Sequence, residues 1–315
     1  MSVSLNIQSE SCRGSSLTYR ARHLTGHIQE FLIEKLLAAA ALFSILITLS
    51  VVGILLFESL KFFNDVPLLD FLTDTQWTPL FEDAHYGVMP LLCGTLLSSV
   101  IALIVAVPLG VICSVWLSEF ATHATRETLK PALELIAAVP TVVFGYFALV
   151  CVTPLLQSLF PELPGFNLLS ASLVMGIMIV PYVSSISEDA LRAVPVALRE
   201  GSLALGANKF QTSWLIVVPA AFSGLTAAFI LAFARAIGET MVVAIAGGLQ
   251  PNLTLNPAQP AATITSFIVQ VSLGDLPHGS IGYNSIFAIG LVLFLFTLSF
   301  NLLGNFVRKR FREAS

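Results

Sequence analysis

The feature that most constrains this chain is how far apart its charges lie. Residues 36–57, 88–117, 135–160, 166–186 and 285–307 contain no Asp, Glu, Lys or Arg, and residues 219–249 contain only two. A helix needs about 20 predominantly apolar residues to cross the hydrocarbon core of a bilayer, and every one of these runs is long enough. Composition agrees, with 56% hydrophobic and 11% charged residues against about 25% charged in soluble domains. The expected fold class is an all-α membrane protein with six transmembrane helices. Pro108, Gly110, Pro140, Gly145 and Pro181 fall inside the runs. Such residues are tolerated where neighbouring helices satisfy the freed backbone groups, so the spans should be kinked and bundled. Residues 251–282 are only semi-apolar, and ATITSFIVQVSL within them reads as an interfacial or re-entrant helix rather than a seventh span.

Basic residues set the orientation. All 15 Lys and Arg except Lys61 and Arg235 lie in residues 1–35, in the loops 118–134 and 187–218, or in the tail 308–315. With six spans these segments share one side, and the positive-inside rule makes it the cytoplasm, with both termini. The opposite side is acidic, carrying Glu58, Asp65, Asp70, Asp74, Glu82, Asp83, Glu162 and Asp275, and it reads as a solvated surface or a docking surface for a soluble partner. His85 and His278 are expected to be exposed there. The polar residues 1–34 show no cleavable signal, so the first run reads as a retained helix. Cys12, Cys93, Cys113 and Cys151 have no paired spacing and read as neither disulfides nor metal ligands. The domain plan is a cytoplasmic segment 1–35, a first span with its outer loop 36–87, a transmembrane domain 88–307 and a basic tail 308–315.

Two sites stand out. The first is AFARAIGETM at 232–241, whose Arg235 and Glu239 are the only charges between Gln211 and Gly274. A charge near the middle of a bilayer costs about 2.5–3.5 kcal/mol on insertion scales, so it usually faces a cavity and serves function. In a continuous helix Glu239 would lie one turn beyond Arg235 on the same face and partly neutralise it. Gly238 would let a helix or a substrate approach closely. The pair reads either as part of a pathway or as a lock between helices. Thr95, Ser98 and Ser99 read as pathway or packing residues, and Glu134 as an acid at the start of span three.

The second site is the loop 187–218. Its Ala and Leu recur at helical spacing over residues 188–205, interrupted at Pro195, and Gly206 then signals a turn. Glu200-Gly201-Ser202, three residues, Gly206, nine residues and Ile216-Val217-Val218-Pro219 resemble the EAA loop of bacterial ABC-importer permeases, with Gly201, Ser202 and Val218 replacing its alanines and leucine. That resemblance implies a type I ABC-importer (MetI-like) fold, in which Glu200, Gly201, Ser202 and Gly206 belong to a coupling helix that docks on an ATP-hydrolysing subunit. No G-x-x-x-x-G-K-[ST] phosphate cradle occurs in the chain, so energy must arrive mechanically from that partner.

FLTDTQWTP, YGVMPLLCGTLLSSVIALIVAVPLGVICSVWLSEF, LKPALELIAAVPTVVFGYFAL and RAIGETM resemble the PstC family of phosphate-importer permease subunits over about residues 33–311, and the first two favour it over the PstA family. The resemblance implies a bacterial inner-membrane subunit that moves inorganic phosphate and is not an enzyme. Its implied partners are a second, PstA-like permease, a PstB-like ATPase dimer that binds ATP and Mg²⁺, a PstS-like phosphate-binding protein and membrane lipid, but no nucleic acid. No cofactor is expected in this chain. Arg235, Glu239 and Thr240 would line the pathway, with Gly238 as its hinge or packing residue. A guanidinium keeps its proton and matches a tetrahedral oxyanion with its planar fork. A carboxylate would tolerate the proton of hydrogen phosphate and repel sulfate. A molybdate or sulfate permease, or a non-transporting sensor on the same fold, remains as an alternative.

Overall fold

The computed structural model describes the backbone of residues 4–312 except 80, 82 and 278, and the side chains of residues 30–306 except those three and 275. The basic side chains expected near both ends, with Cys12, Glu82, Asp275 and His278, lie outside the described residues. The chain divides into residues 1–55 and 56–315. The first unit is the greater part of one helix, α1 (Ser4–Asp65), whose apolar side chains from Phe31 to Phe57 are exposed almost all round.

The second unit begins with the end of α1 and α2 (Leu68–Thr73), followed by α3 (Met89–Val115) and a π turn over Trp116–Phe120. Next come α4 (His123–Ala137), α5 (Thr141–Phe147), a π turn and α6 (Thr153–Leu159), then α7 (Leu168–Arg192) and α8 (Val196–Ala204). A rod formed by α9 (Lys209–Thr212), a π turn and α10 (Val218–Ala220) bends by 71° into α11 (Phe222–Ile237). The chain ends with α12 (Met241–Ala246), α13 (Ile264–Gln270) and α14 (Ile281–Arg312). Among the described residues five helical stretches are long and apolar enough to cross a membrane, and the bent pair, taken as one span, makes six. Among the described residues pairing of extended backbone is limited to isolated bridges, Trp77 with Tyr86 and Gly248 with Ala261.

Three boundaries differ from the sequence expectation. Span three starts at Thr141, not at residue 135, because Pro140 adopts extended geometry (φ −57, ψ 135) and separates it from amphipathic α4. Glu134 therefore lies in the last turn of α4 rather than at the start of a span. The fifth run is not one helix: α11 begins at Phe222 and stops at Ile237. α13 is too short to cross, and its first residues, Ile264 to Phe267, are buried while Leu273 is exposed, so it enters the protein interior instead of lying on an interface.

The core of the bundle is the seam between α3 and α7. A Cβ on Gly176 would sit 2.8 Å from the Ala102 carbonyl oxygen, and one on Gly110 would sit 2.6 Å from Val183 Cγ1. Hydrocarbon gives no hydrophobic drive for helices to associate, so this closeness, with its dispersion contacts, is what small residues provide. Ala106, Met175, Ile179, Ala232 and Val243 extend the seam to α11 and α12. A second cluster packs Phe62, Phe71, Trp77 and Phe267 edge to face, with Trp77 and Phe267 centroids 5.1 Å apart.

Residues 74–87 fold beside that cluster. His85 is half-buried, not fully exposed as expected, because its Nδ1 lies 2.8 Å from Asp74 Oδ2. This hydrogen bond raises the His85 pKa. At Asp74, burial alone would raise the pKa, but the bonds from His85 and the Gln76 backbone outweigh it and the net shift is downward. Cys93, Cys113 and Cys151 are free thiols.

Candidate substrate pathway and coupling surface

The first site is built around the end of α11. Gly238 caps the helix, the Glu239 N–H bonds back to the Ala236 carbonyl, and α12 restarts at Met241. Glu239 turns inward and is 7% exposed. Its Oε1 accepts the backbone N–H groups of Met241 at 3.1 Å and Val242 at 3.3 Å, groups that the start of α12 would otherwise leave unpaired. The Glu239 carbonyl in turn accepts the Thr265 hydroxyl at 2.6 Å.

A neutral hydrogen-bond lattice supports this break. Thr95 Oγ1 accepts the Ile264 N–H at 3.0 Å and donates to the Leu91 carbonyl, while Ser98 and Ser99 donate to the Thr95 carbonyl. Thr263 and Ser266 form a reciprocal cap on α13. Thr95, Ser98 and Ser99 are all buried, so their role here is packing and capping.

The expected Arg235–Glu239 pair does not form. With the helix stopped at Ile237, the two side chains no longer share a face: Glu239 caps α12, whereas Arg235 is exposed. The Arg235 guanidinium carbon stands 5.8 Å from the Tyr182 ring centroid, within cation–π range. Among the described residues Arg235 makes no salt bridge. Phe222 to Arg235 spans roughly 20 Å at 1.5 Å per residue, so Arg235 lies in the last turn of α11, far from the start of the helix. Thr240 is half-buried, with its hydroxyl 3.3 Å from the Gly238 carbonyl. Gly238 is exposed, and a Cβ there would meet only its own helix, at 3.5 Å or more, so nothing in this chain uses the close approach it allows. Sequence reasoning did not single out Tyr182; its place beside Pro181 in a span was the available signal.

The second site is the α8–α9 hairpin. Pro195 has extended ψ and starts α8, and Gly206, at φ +89, reverses the chain after it. That left-handed conformation favours glycine. Asn208 and Gln211 then form a reciprocal cap on α9. Glu200, Gly201 and Gly206 are exposed, while Ser202 is half-buried with its hydroxyl 3.0 Å from Thr212 Oγ1. α8 buries none of its residues. An open groove along it is walled by Ala197, Leu198, Gly201, Leu205, Gln211 and Leu215. Leu205 is 91% exposed and Phe210 62%. Large apolar side chains this exposed on a rigid protrusion mark a contact surface.

Sequence reasoning missed the ion pairs behind the hairpin. Fully buried Glu188 binds Arg126 Nε and Lys130 Nζ, each at 2.7 Å, and Lys130 also reaches Asp189 at 2.7 Å. Burial would lower the Lys130 pKa, but these two carboxylates raise it. Glu119, at the end of α3's π turn, pairs with Arg199 of α8 at 3.0 Å.

The chain thus combines membrane-length helices, a break between α11 and α12, and an exposed α8–α9 hairpin. Residues 106–313 match the family of binding-protein-dependent transport system inner membrane components. The chain belongs to that family. It is 35% identical to the "Probable ABC transporter permease protein YqgH" of Bacillus subtilis over 78% of this chain and 80% of that one. It is 31% identical to the "Phosphate transport system permease protein PstC" of Mesorhizobium japonicum, over 82% of this chain and 84% of that one. Among solved structures it is similar to a bacterial alginate ABC transporter bound to its pentasaccharide-loaded periplasmic protein, with TM-score 0.61 and 16% identity over 87% of this chain and 94% of that one. The inward-facing MetNI methionine transporter matches with TM-score 0.52 and 18% identity, covering 71% and 94%. Both likenesses concern the fold, which is of the MetI-like importer type that the EAA-like loop led us to expect.

Proposed function

We propose that this chain is the transmembrane subunit of an ATP-driven importer that moves inorganic phosphate from an external binding protein into the cytoplasm by alternating access. The observation that carries the reading is Arg235, a permanent cation in the last turn of a membrane helix, beside a helix break and without a carboxylate partner among the described residues. Facing lipid it would be strongly disfavoured, so it faces a polar cavity or a second permease subunit. Its fork suits an oxyanion. Thr240 lies at the same break as a hydroxyl donor, while Glu239 shapes the break by capping α12. The phosphate-permease names of several relatives support the substrate class.

In this reading the chain pairs with a homologous permease, and both sit on two ATPase subunits that bind ATP and Mg²⁺. Glu200, Gly201, Ser202 and Gly206 belong to the surface that meets them. The chain makes and breaks no bond in the substrate. The test is uptake of radiolabelled phosphate by cells that lack their own high-affinity importer and express this one with its partners. Arg235→Gln should assemble, as judged by co-purification, yet lose uptake roughly tenfold or more, since hydrogen bonds to charged groups contribute about 1.5–3 kcal/mol. Normal uptake by the variant would make Arg235 structural. A wild type that moves sulfate or molybdate instead would reassign the substrate.

A further inference from the structure

The structure leaves open how α8, which buries no residue, moves the spans rather than merely itself. It is joined to α7 through residues 193–195, where Pro195 interrupts helical geometry (φ −56, ψ 137). A push on α8 could be absorbed in that joint. We propose that Arg199 is a positioning residue for transport, a strut that makes α8 move as one body with the cytoplasmic ends of α3 and α7. This inference rests on the reading of α8 as the element that meets the ATPase.

The guanidinium holds three elements at once. Its Nη2 donates to Glu119 Oε1 at 3.0 Å and Nε to Oε2 at 3.3 Å, reaching the π turn after α3. Nη2 also donates to the Leu191 carbonyl at 2.8 Å, and Nη1 to the Val194 carbonyl, at the end of α7. Carbonyls at a helix C-terminus have no partner within the helix, and a cation is favoured there. The Glu119 side chain is 7% exposed and that of Arg199 19%, so the pair is far less screened than a surface contact. A lysine ammonium cannot reproduce a fork of this kind.

The load then has a rigid path. Beyond their joined ends, α3 and α7 lock along the Gly110 and Gly176 seam. Val115, Leu191, Val194 and Val217 form one buried apolar cluster at the same end of the bundle. The remaining side-chain hydrogen bond of α8 among the described residues, Ser202 with Thr212, leads instead to the rod that bends by 71° before α11. Arg199 is therefore what connects the protrusion to the central helix pair.

The test uses the full complex in proteoliposomes, with Arg199→Gln and Glu119→Gln, and reads phosphate uptake and ATP hydrolysis together. A second readout needs no substrate: ATP-dependent maleimide labelling of Thr240→Cys in a chain whose Cys12, Cys93, Cys113 and Cys151 are Ser. Both variants should assemble and hydrolyse ATP, while uptake per ATP falls roughly fivefold or more, the range of coupling between sites. Labelling at 240 should stop responding to ATP. An unchanged ratio and an unchanged labelling response in assembled complexes would overturn the proposal. If Arg199→Gln does not assemble, Glu119→Gln, which removes only a charge, decides in the same assays. A wild type that hydrolyses ATP and changes its labelling but takes up no phosphate would refute the phosphate reading, and the labelling arm would still decide the role of Arg199.

Discussion

The hairpin end and the membrane interior of this chain treat charge in opposite ways. At the hairpin end, buried carboxylates are matched with cations from other helices, Glu188 with Arg126 and Lys130, Glu119 with Arg199. In the interior, the α11–α12 break and the entry of α13 are held by hydroxyls and backbone groups, with Glu239 serving as a cap. Arg235 is left over. Among the described residues Arg235 has neither a carboxylate partner nor a capping role, and the proposed function assigns it to the substrate on that ground.

The largest effect should come from breaking the paired end. Glu188→Gln removes the buried charge that Arg126, Lys130 and Arg192 share, of which Lys130 alone keeps a second carboxylate, Asp189, and removal of one partner from a buried pair costs about 3–5 kcal/mol. Thermal unfolding of the purified chain in lipid nanodiscs should show a loss of that order. A loss under about 1 kcal/mol, typical of exposed pairs, would mean that the two ends do not differ. Thr95→Val probes the neutral lattice. It leaves the buried Ile264 N–H without its acceptor, a loss of about 1–3 kcal/mol in the same assay.

How far the sequence revealed this contrast follows from chemistry. Spans were legible because hydrocarbon forbids charge over about 20 residues, and the hairpin because Pro195 and Gly206 punctuate a helical pattern. The break after Ile237 was not legible: Gly238-Glu239-Thr240 contains no proline, and the capping by Glu239 depends on where α12 and α13 pack. The Glu188 pairs were hidden because their partners lie 62 and 58 residues away. Arg235 was visible as an anomaly, but a helical repeat could only suggest the neighbour four residues on. Tertiary structure replaced that neighbour with Tyr182.

Arg235→Gln sharpens the comparison from the other direction. Since Arg235 has no ionic partner to strand, its replacement should change stability by no more than about 0.5 kcal/mol, as for an exposed site, while uptake collapses. Separation of the two readouts is the result that supports a transport role. A stability loss near that of Glu188→Gln would show that Arg235 is paired after all, by an element of the assembled bundle, and would return it to the structural class.

The smallest effect belongs to residues 74–87, where Asp74 and His85 form a pair that is ionic only while histidine is protonated. His85 is raised above its ordinary 6.5, so its contribution is fully present below 6.5 and is lost as pH rises through the higher folded value. Asp74 is lowered below 3.8, so its contribution is present above 3.8 and is lost as pH falls through the lower folded value. The pair therefore holds residues 74–87 between those limits and loosens as pH rises through the folded His85 value. Trp77 packs beside this segment and opposite Tyr86, which makes its fluorescence the natural reporter. In a chain with Trp116 and Trp214 replaced by Phe, the emission of Trp77 should shift as pH is raised past 6.5, and Asp74→Asn should remove the step. Persistence of the step in Asp74→Asn would assign it to another group and leave this segment, unlike the hairpin end, held by aromatic packing alone.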